Sequence, residues 1–226
     1  MQMIKAVIFD LYETLITEWV SHKYLSSQCA RDLDIDPPLF REIWNSRHRD
    51  MDTGHLSYRQ VLSQILTAAG KTPDDALMDA CEEKRITGKN DCFAAIDENI
   101  LQMLSALKQQ GLKLCLCSNC SADEVEGLLS SSFHPLFDAV ILSYQVGLAK
   151  PDRQIYLHCA ETLSVLPEEC LFVGDGGSRE LYGAKEAGMH PLRALWFPEK
   201  YHTEIAAMPF PAAHTPQDVL AHLNSL

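Results

Sequence analysis

The chain has 226 residues, 46% of them hydrophobic and 22% charged, with a formal net charge of −12 at pH 7. That length can bury a full core and carry one domain with a large insertion or two small domains, and the composition is that of a globular rather than a disordered protein. The acidic balance disfavours nucleic acid and anionic membranes as partners, no apolar run reaches bilayer length and the start lacks a signal peptide, so a cytoplasmic protein whose eight cysteines are free thiols is expected.

Ile4 to Phe9 is apolar except for Lys5 and rich in β-branched residues, which suits a strand buried on both faces of a parallel sheet. Asp10 ends it. A carboxylate there sits where open α/β sheets place their ligands, and Thr14 can hydrogen-bond whatever that carboxylate engages; the alternative is an Asp that merely caps the next turn. After Leu15 the pattern turns helical. Apolar residues from Trp19 to Leu33 recur at a period close to 3.6 and predict a first helix, with Trp19 and later Trp44 as bundle core. Asp36-Pro37-Pro38 opens a second helix through Phe40 and Trp44, and Asp52-Thr53-Gly54 turns the chain. Ser57 caps a third helix ended by Gly70, and a fourth starts near Thr72-Pro73-Asp74.

From Phe93 helices and strands alternate. Ile96–Gln110 predicts a helix stopped by Gly111, and Leu112–Cys117 a strand ending in Ser118-Asn119. The C-x-C-x-x-C run at Cys115, Cys117 and Cys120 reads as small apolar residues of that strand rather than a metal site. A short helix over Glu124–Ser130, a strand over Ala139–Ser143 and a helix opened by Lys150-Pro151-Asp152 follow, Tyr156 either packing in that helix or lining a pocket. Cys170–Val173 is a fourth strand leading to Gly174-Asp175-Gly176-Gly177, Ser178–Ala187 a helix, Arg193–Phe197 a fifth strand, and the tail a helix capped at Thr215.

Strand ends therefore carry Asp10, Ser118, the loop to Lys150, and Asp175 toward one edge of the sheet. A carboxylate nucleophile needs a hydroxyl or amide to grip the substrate's oxygens and a cation to offset the accumulated negative charge, and Asp10, Ser118 and Lys150 supply those types. Asp10 and Asp175 make a hard, all-oxygen site of the sort that Mg²⁺ occupies. Local cations allow a small anionic metabolite as substrate despite the acidic average.

With Asp10-Leu11-Tyr12-Glu13-Thr14, Ser118-Asn119, Lys150-Pro151-Asp152 and Gly174-Asp175 followed by Glu180, the sequence resembles the haloacid dehalogenase superfamily of hydrolases along its whole length. The resemblance implies an α/β fold, a doubly wound, Rossmann-like parallel sheet over residues 1–15 and 92–226 with a helical cap domain over 16–91. It implies attack by Asp10 to form a covalent aspartyl intermediate that water cleaves, with Thr14 and Ser118 holding the transferring group and Lys150 neutralising it. Asp10, Asp175 and the backbone carbonyl of Tyr12 would ligate Mg²⁺. Glu180 would ligate through water or fix Lys150, unless it is an exposed helix charge. Tyr12, Glu13 and Asn119 fall at substrate-binding positions.

Two departures from the family pattern shape the functional reading. Phosphatases of the family carry a proton-donating Asp where this chain has Tyr12, whereas 2-haloacid dehalogenases have Tyr there; those dehalogenases need no metal and lack the acid of Asp175. They also have an Arg after the cap Trp to bind the substrate carboxylate, where this chain has Asn45, with Arg47 or Arg49 as substitutes or as solvated charges. Glu13 replaces the usual Gly and either narrows the pocket or carries protons. His48 and His55 lie near the cap turn, exposed or in contact with substrate. The expectation is Mg²⁺-dependent hydrolysis of a small phosphate ester or anhydride, with 2-haloacid dehalogenation and a catalytically weak binding or regulatory relative as alternatives. The oligomeric state stays open.

Overall fold

A computed structural model of the protein describes residues 3–94, 96–202 and 204–226. Its first strand, β1 (Ala6–Phe9), has no exposed residue, and Val7 and Phe9 face one side of the sheet while Ala6 and Ile8 face the other. The next four helices are α1 (Ser26–Asp32), α2 (Pro37–Asp52), α3 (Tyr58–Ala68) and α4 (Asp75–Ala94). They close on their own core, in which Leu33, Phe40, Val61, Leu62, Ile65 and Met78 are buried together. Asp36 caps α2 by accepting from the Leu39 amide, and Ser57 with Gln60 forms a reciprocal capping box on α3.

The chain returns through α5 (Glu98–Gln109), capped by Asp97, into β2 (Lys113–Ser118), β3 (Ala139–Leu142) and the single turn α6 (Ser143–Val146). Then come α7 (Arg153–Thr162), β4 (Cys170–Gly174), α8 (Glu180–Glu186), β5 (His190–Ala194), α9 (Pro198–Tyr201), β6 (Ala212–Ala213) and α10 (Asp218–Leu223). The six strands form one all-parallel sheet in the order β3-β2-β1-β4-β5-β6. On one face Ile100, Met103, Leu104 and Leu107 of α5 pack on Val7, Phe9, Leu114 and Leu116; on the other, Ile155 and Cys159 of α7 and Leu181 and Ala184 of α8 pack on Ala6, Ile8, Cys115 and Cys117. The strand order reverses between β1 and β4, and a crevice opens beyond the carboxyl ends at such a switch point. No helix among the described residues is long and apolar enough to cross a membrane.

Local geometry departs from periodicity in several places. Helix α1 begins at Ser26, not Trp19, because the Gln28 side chain accepts the Leu25 amide and fixes the start there. The preceding backbone lies across α4 at Gly88, where a Cβ would come within 2.7 Å of the His22 carbonyl. Trp19 sits in a short 3-10 turn, 47% exposed, against Lys23 and His202, and is not bundle core. Glu124–Ser130 is 3-10 helix from Glu126 onward. The fifth strand lies three residues earlier than expected, since pairing with β4 sets its register and tolerates Pro191 inside it. At the tail, Asp218 accepts the His214 and Thr215 amides, so the carboxylate and not Thr215 organises the turn.

Candidate active site

Asp10 follows β1 directly, held by its amide on the Val173 carbonyl of β4 at 2.9 Å. Its Oδ2 accepts from the Thr14 hydroxyl at 3.2 Å, and its Oδ1 is paired with the Lys150 ammonium. Lys150, 3% exposed, also reaches Glu180 Oε2 at 2.5 Å. Glu180 is therefore not an exposed helix charge; it is 1% exposed, and its carboxylate fits there because the neighbouring strand residue is Gly174, whose Cβ would stand 2.1 Å from Oε1. Tyr156 packs, fully buried, and its hydroxyl donates to the Glu180 carbonyl at 2.8 Å. Ser118 ends β2, buried beside β1, and its hydroxyl donates to the Asn119 carbonyl at 3.4 Å. Asn119 spends its side-chain amide on the Lys150 backbone, accepting from the Lys150 amide at 2.7 Å and donating to its carbonyl at 2.8 Å. That pair of bonds fixes the loop from which the lysine reaches Asp10.

Tyr12 and Glu13 are both turned away from that centre. The Tyr12 phenol donates to the Glu124 carbonyl at 2.6 Å, and the Lys89 ammonium lies 4.4 Å from its ring. Burial first, then the charges of Glu124 and Glu18, hold its pKa well above the ordinary phenol value. Glu13 adopts a left-handed backbone, φ 59°, where glycine is the usual occupant. Its carboxylate accepts from the Thr17 hydroxyl at 2.7 Å and the Glu18 amide at 3.0 Å, knitting the turn after the nucleophile position. Nearby, Trp196 Nε1 donates to the Thr14 carbonyl at 2.9 Å.

One carboxylate oxygen from each of Asp10, Asp175 and Glu180 lies within 4.8 Å of the others. Three carboxylates against one ammonium leave two uncompensated negative charges if all are ionised. The protein registers that strain. Burial and then Asp10 push the Asp175 carboxyl up to about 6, and the same two causes raise Glu180. Lys150 is held protonated well above its usual range because Asp10 and Glu180 outweigh its burial. An all-oxygen donor set with surplus negative charge matches the requirement of a hard divalent cation such as Mg²⁺.

Other residues come together that spacing along the sequence did not single out. Arg85 and Lys89, one turn apart on α4, reach the core: Arg85 pairs with Asp123 at 2.6 Å and Glu124 at 2.7 Å, and Lys89 with Glu18 at 2.7 Å and Glu124 at 2.9 Å. An i,i+4 basic pair on a helix was the available signal, but Asp123 and Glu124 lie more than thirty residues downstream in the chain and Glu18 far upstream of it. Arg49 of α2 pairs with Asp152 and donates to the Lys150 carbonyl at 3.5 Å, so it ties the helical layer to the lysine loop. Arg47 bonds Gln64, His48 pairs with Asp52, and His55 bonds Thr53.

A family model described as haloacid dehalogenase-like hydrolase matches residues 4–188. Among curated proteins, a glyceraldehyde 3-phosphate phosphatase of Methanopyrus kandleri is 28% identical over 84% of this chain and 84% of its own. The fold is shared with a 2-haloacid dehalogenase from Pseudomonas syringae (TM-score 0.67, 21% identity, 99% of each chain). It is shared too with a Bacteroides thetaiotaomicron enzyme of the same family crystallised with magnesium and inorganic phosphate (TM-score 0.57, 19% identity, 84% of this chain and 94% of that one).

Proposed function

The chain belongs to the haloacid dehalogenase-like hydrolases, and from that premise we propose that it hydrolyses small phosphate esters or anhydrides, with Asp10 as nucleophile and Mg²⁺ as cofactor. The observation that carries the reading is the carboxylate cluster of Asp10, Asp175 and Glu180, with Lys150 between two of them. The similarity to phosphatases named for glyceraldehyde 3-phosphate supports the phosphoryl substrate class.

In this reading an oxygen of Asp10 attacks phosphorus, the bond from phosphorus to the leaving oxygen breaks, and the electron pair departs with that oxygen. Thr14 and Ser118 hold the phosphoryl oxygens, and Lys150, kept protonated and kept in place by Asn119, offsets their charge. Water then attacks the aspartyl phosphate at phosphorus, releasing inorganic phosphate and restoring the carboxylate. Asp10, Asp175 and the Tyr12 carbonyl would hold Mg²⁺, with Glu180 ligating through water or positioning Lys150; the ion supplies charge neutralisation at the phosphoryl group. Tyr12 provides no acid, because its phenol proton is committed to the Glu124 carbonyl. Leaving groups that depart unprotonated, such as acyl phosphates and aryl phosphates, are therefore the favoured substrates.

The 2-haloacid dehalogenase reading has Tyr12 in its favour, yet Arg47 and Arg49 are both engaged within the protein. The experiment is turnover of acetyl phosphate, nitrophenyl phosphate and 2-chloropropionate with and without Mg²⁺, in wild type and Asp10→Asn. Metal-dependent phosphate release, lowered at least about a thousandfold by the substitution, is expected. Chloride release without metal would replace this reading with the dehalogenase one.

A further inference from the structure

Asp175 lies in Gly174-Asp175-Gly176-Gly177, and glycines on both sides leave the loop little intrinsic preference with which to aim a carboxylate. Gly176 takes a left-handed conformation, φ 103°, and a Cβ there would come within 2.7 Å of the Met208 sulfur, so Met208 packs directly against this loop. Two residues on, Phe210 packs on Tyr182 of α8, ring centroids 4.8 Å apart. Arg193 joins loop and segment. Its Nε donates to the Asp175 carbonyl at 3.0 Å and its Nη1 to the Ala206 carbonyl at 2.6 Å, while its own amide donates to the Pro211 carbonyl at 2.8 Å. The pairing of β5 with β4 places it there, since Arg193 stands opposite Gly174.

Arg193 is 8% exposed and adjoins a centre with surplus negative charge, yet among the described residues its side-chain hydrogen bonds go to backbone carbonyls and not to a carboxylate. A guanidinium set on those carboxylates would cancel the charge that a divalent cation needs. Placed on the backbone, it leaves that charge free and fixes the direction from which one carboxylate arrives. The Asp175 carbonyl is held by Arg193 and the carboxylate Oδ1 accepts from the Gly177 amide at 2.9 Å, so backbone and side chain of this residue are both set by the protein itself. Groups behind a metal ligand that fix its orientation reduce the ordering that binding would otherwise cost.

Given the reading of Asp175 as a Mg²⁺ ligand, on which this inference rests, we propose that Arg193 is a positioning residue for the cation, holding the Asp175 loop in its binding geometry through the Asp175 and Ala206 carbonyls. The test titrates Mg²⁺ alone into the metal-free full chain by calorimetry above neutral pH, with thermal unfolding to establish that each variant is folded. Arg193→Met should weaken Mg²⁺ at least about tenfold. The sign is decisive, because an arginine acting only through its charge repels the cation, and its removal would tighten binding. Arg193→Lys keeps the charge but reaches one carbonyl at most, so a loss of about threefold or more is expected, and this variant decides the matter if Arg193→Met does not fold. Lys113→Met also loses a bond to a backbone carbonyl, that of Leu163, but at the opposite end of the sheet, and should leave the affinity within about twofold. Tighter or unchanged binding in the folded Arg193 variants, or equal weakening in Lys113→Met, would overturn the positioning role and leave the metal reading standing. A wild type that takes up no Mg²⁺, or takes up as much after Asp175→Ala, would overturn that reading and the positioning role with it.

Discussion

Tyr12 shows how a single side chain can set the leaving-group range of a proposed hydrolase. A phenol that donates at 2.6 Å to a backbone carbonyl, with its pKa raised further by burial and by Glu124, cannot deliver a proton to a departing alkoxide at neutral pH. Replacing Tyr12 by Asp should raise alkyl phosphate turnover more than nitrophenyl phosphate turnover, since only the alkoxide needs protonation; an unmoved ratio of the two rates at saturating Mg²⁺ would show that proton transfer is not limiting. Glu13 makes a different trade. Its left-handed backbone costs roughly 1 kcal/mol for a residue with a side chain, and its two hydrogen bonds to Thr17 and Glu18 offset that cost. Glu13→Ala keeps the strain and loses the bonds, so a destabilisation of about 1–2 kcal/mol by denaturant unfolding is expected, with Glu13→Gly losing less because the strain goes too.

Among the elements, α2 and α4 join the helical layer to the sheet by different means. Arg85 and Lys89 of α4 pair with Asp123, Glu124 and Glu18 in largely buried surroundings, whereas the Arg49–Asp152 pair from α2 is about half exposed on both sides. A half-exposed ion pair contributes little to stability, on the order of 0.5 kcal/mol. Its position matters more than its strength, because Arg49 also reaches the carbonyl of Lys150. Arg49→Ala is therefore expected to leave the thermal midpoint within about 2 °C of wild type while raising KM for a small phosphate ester several-fold at nearly constant kcat, the signature of lost binding contact between the helical layer and the lysine loop. A collapse of kcat with unchanged KM would mean that Arg49 acts on Lys150 itself rather than on that contact.

For the whole molecule, the acidic centre is expected to couple stability to pH and to a divalent cation. The Asp175 carboxyl is raised to about 6 in the fold, by burial and then by Asp10, from an ordinary value near 4. A raised acid contributes stability that is present below the unfolded value and lost as pH rises through the folded one, so the metal-free protein should lose on the order of 3 kcal/mol between about pH 4 and 6 from this group. A divalent cation needs the ionised form. The rise in thermal midpoint on adding Mg²⁺ should accordingly be large at pH 7.5, fade through pH 6 and vanish near pH 5, and Asp175→Asn should remove most of it at every pH. A metal-induced shift that persists at pH 5 would place the cation elsewhere.

The sequence alone determined the elements that local chemistry dictates and the ends at which they stop. The all-apolar run before Asp10, the glycine stops and the proline and serine starts are properties of neighbouring residues, so β1, α2, α3 and α5 were legible, and so was the convergence of Asp10, Ser118, Lys150 and Asp175 on one sheet edge once parallel strands were inferred. Trp19 and the fifth strand misled because apolar period is shared by a helix, an extended crossing and a partly exposed ring, and only the packing of residues 22–24 on α4 and the pairing of β5 with β4 separate them. Tertiary structure decided where side chains turn. Asn119 holds the Lys150 backbone, Tyr12 faces Glu124, Glu13 folds back on Thr17, and Glu180 is buried against Lys150; Arg85 meets Asp123 across 38 positions of chain. Such partners are chosen by which strands and helices become neighbours, and residue spacing along a chain carries no direct record of that.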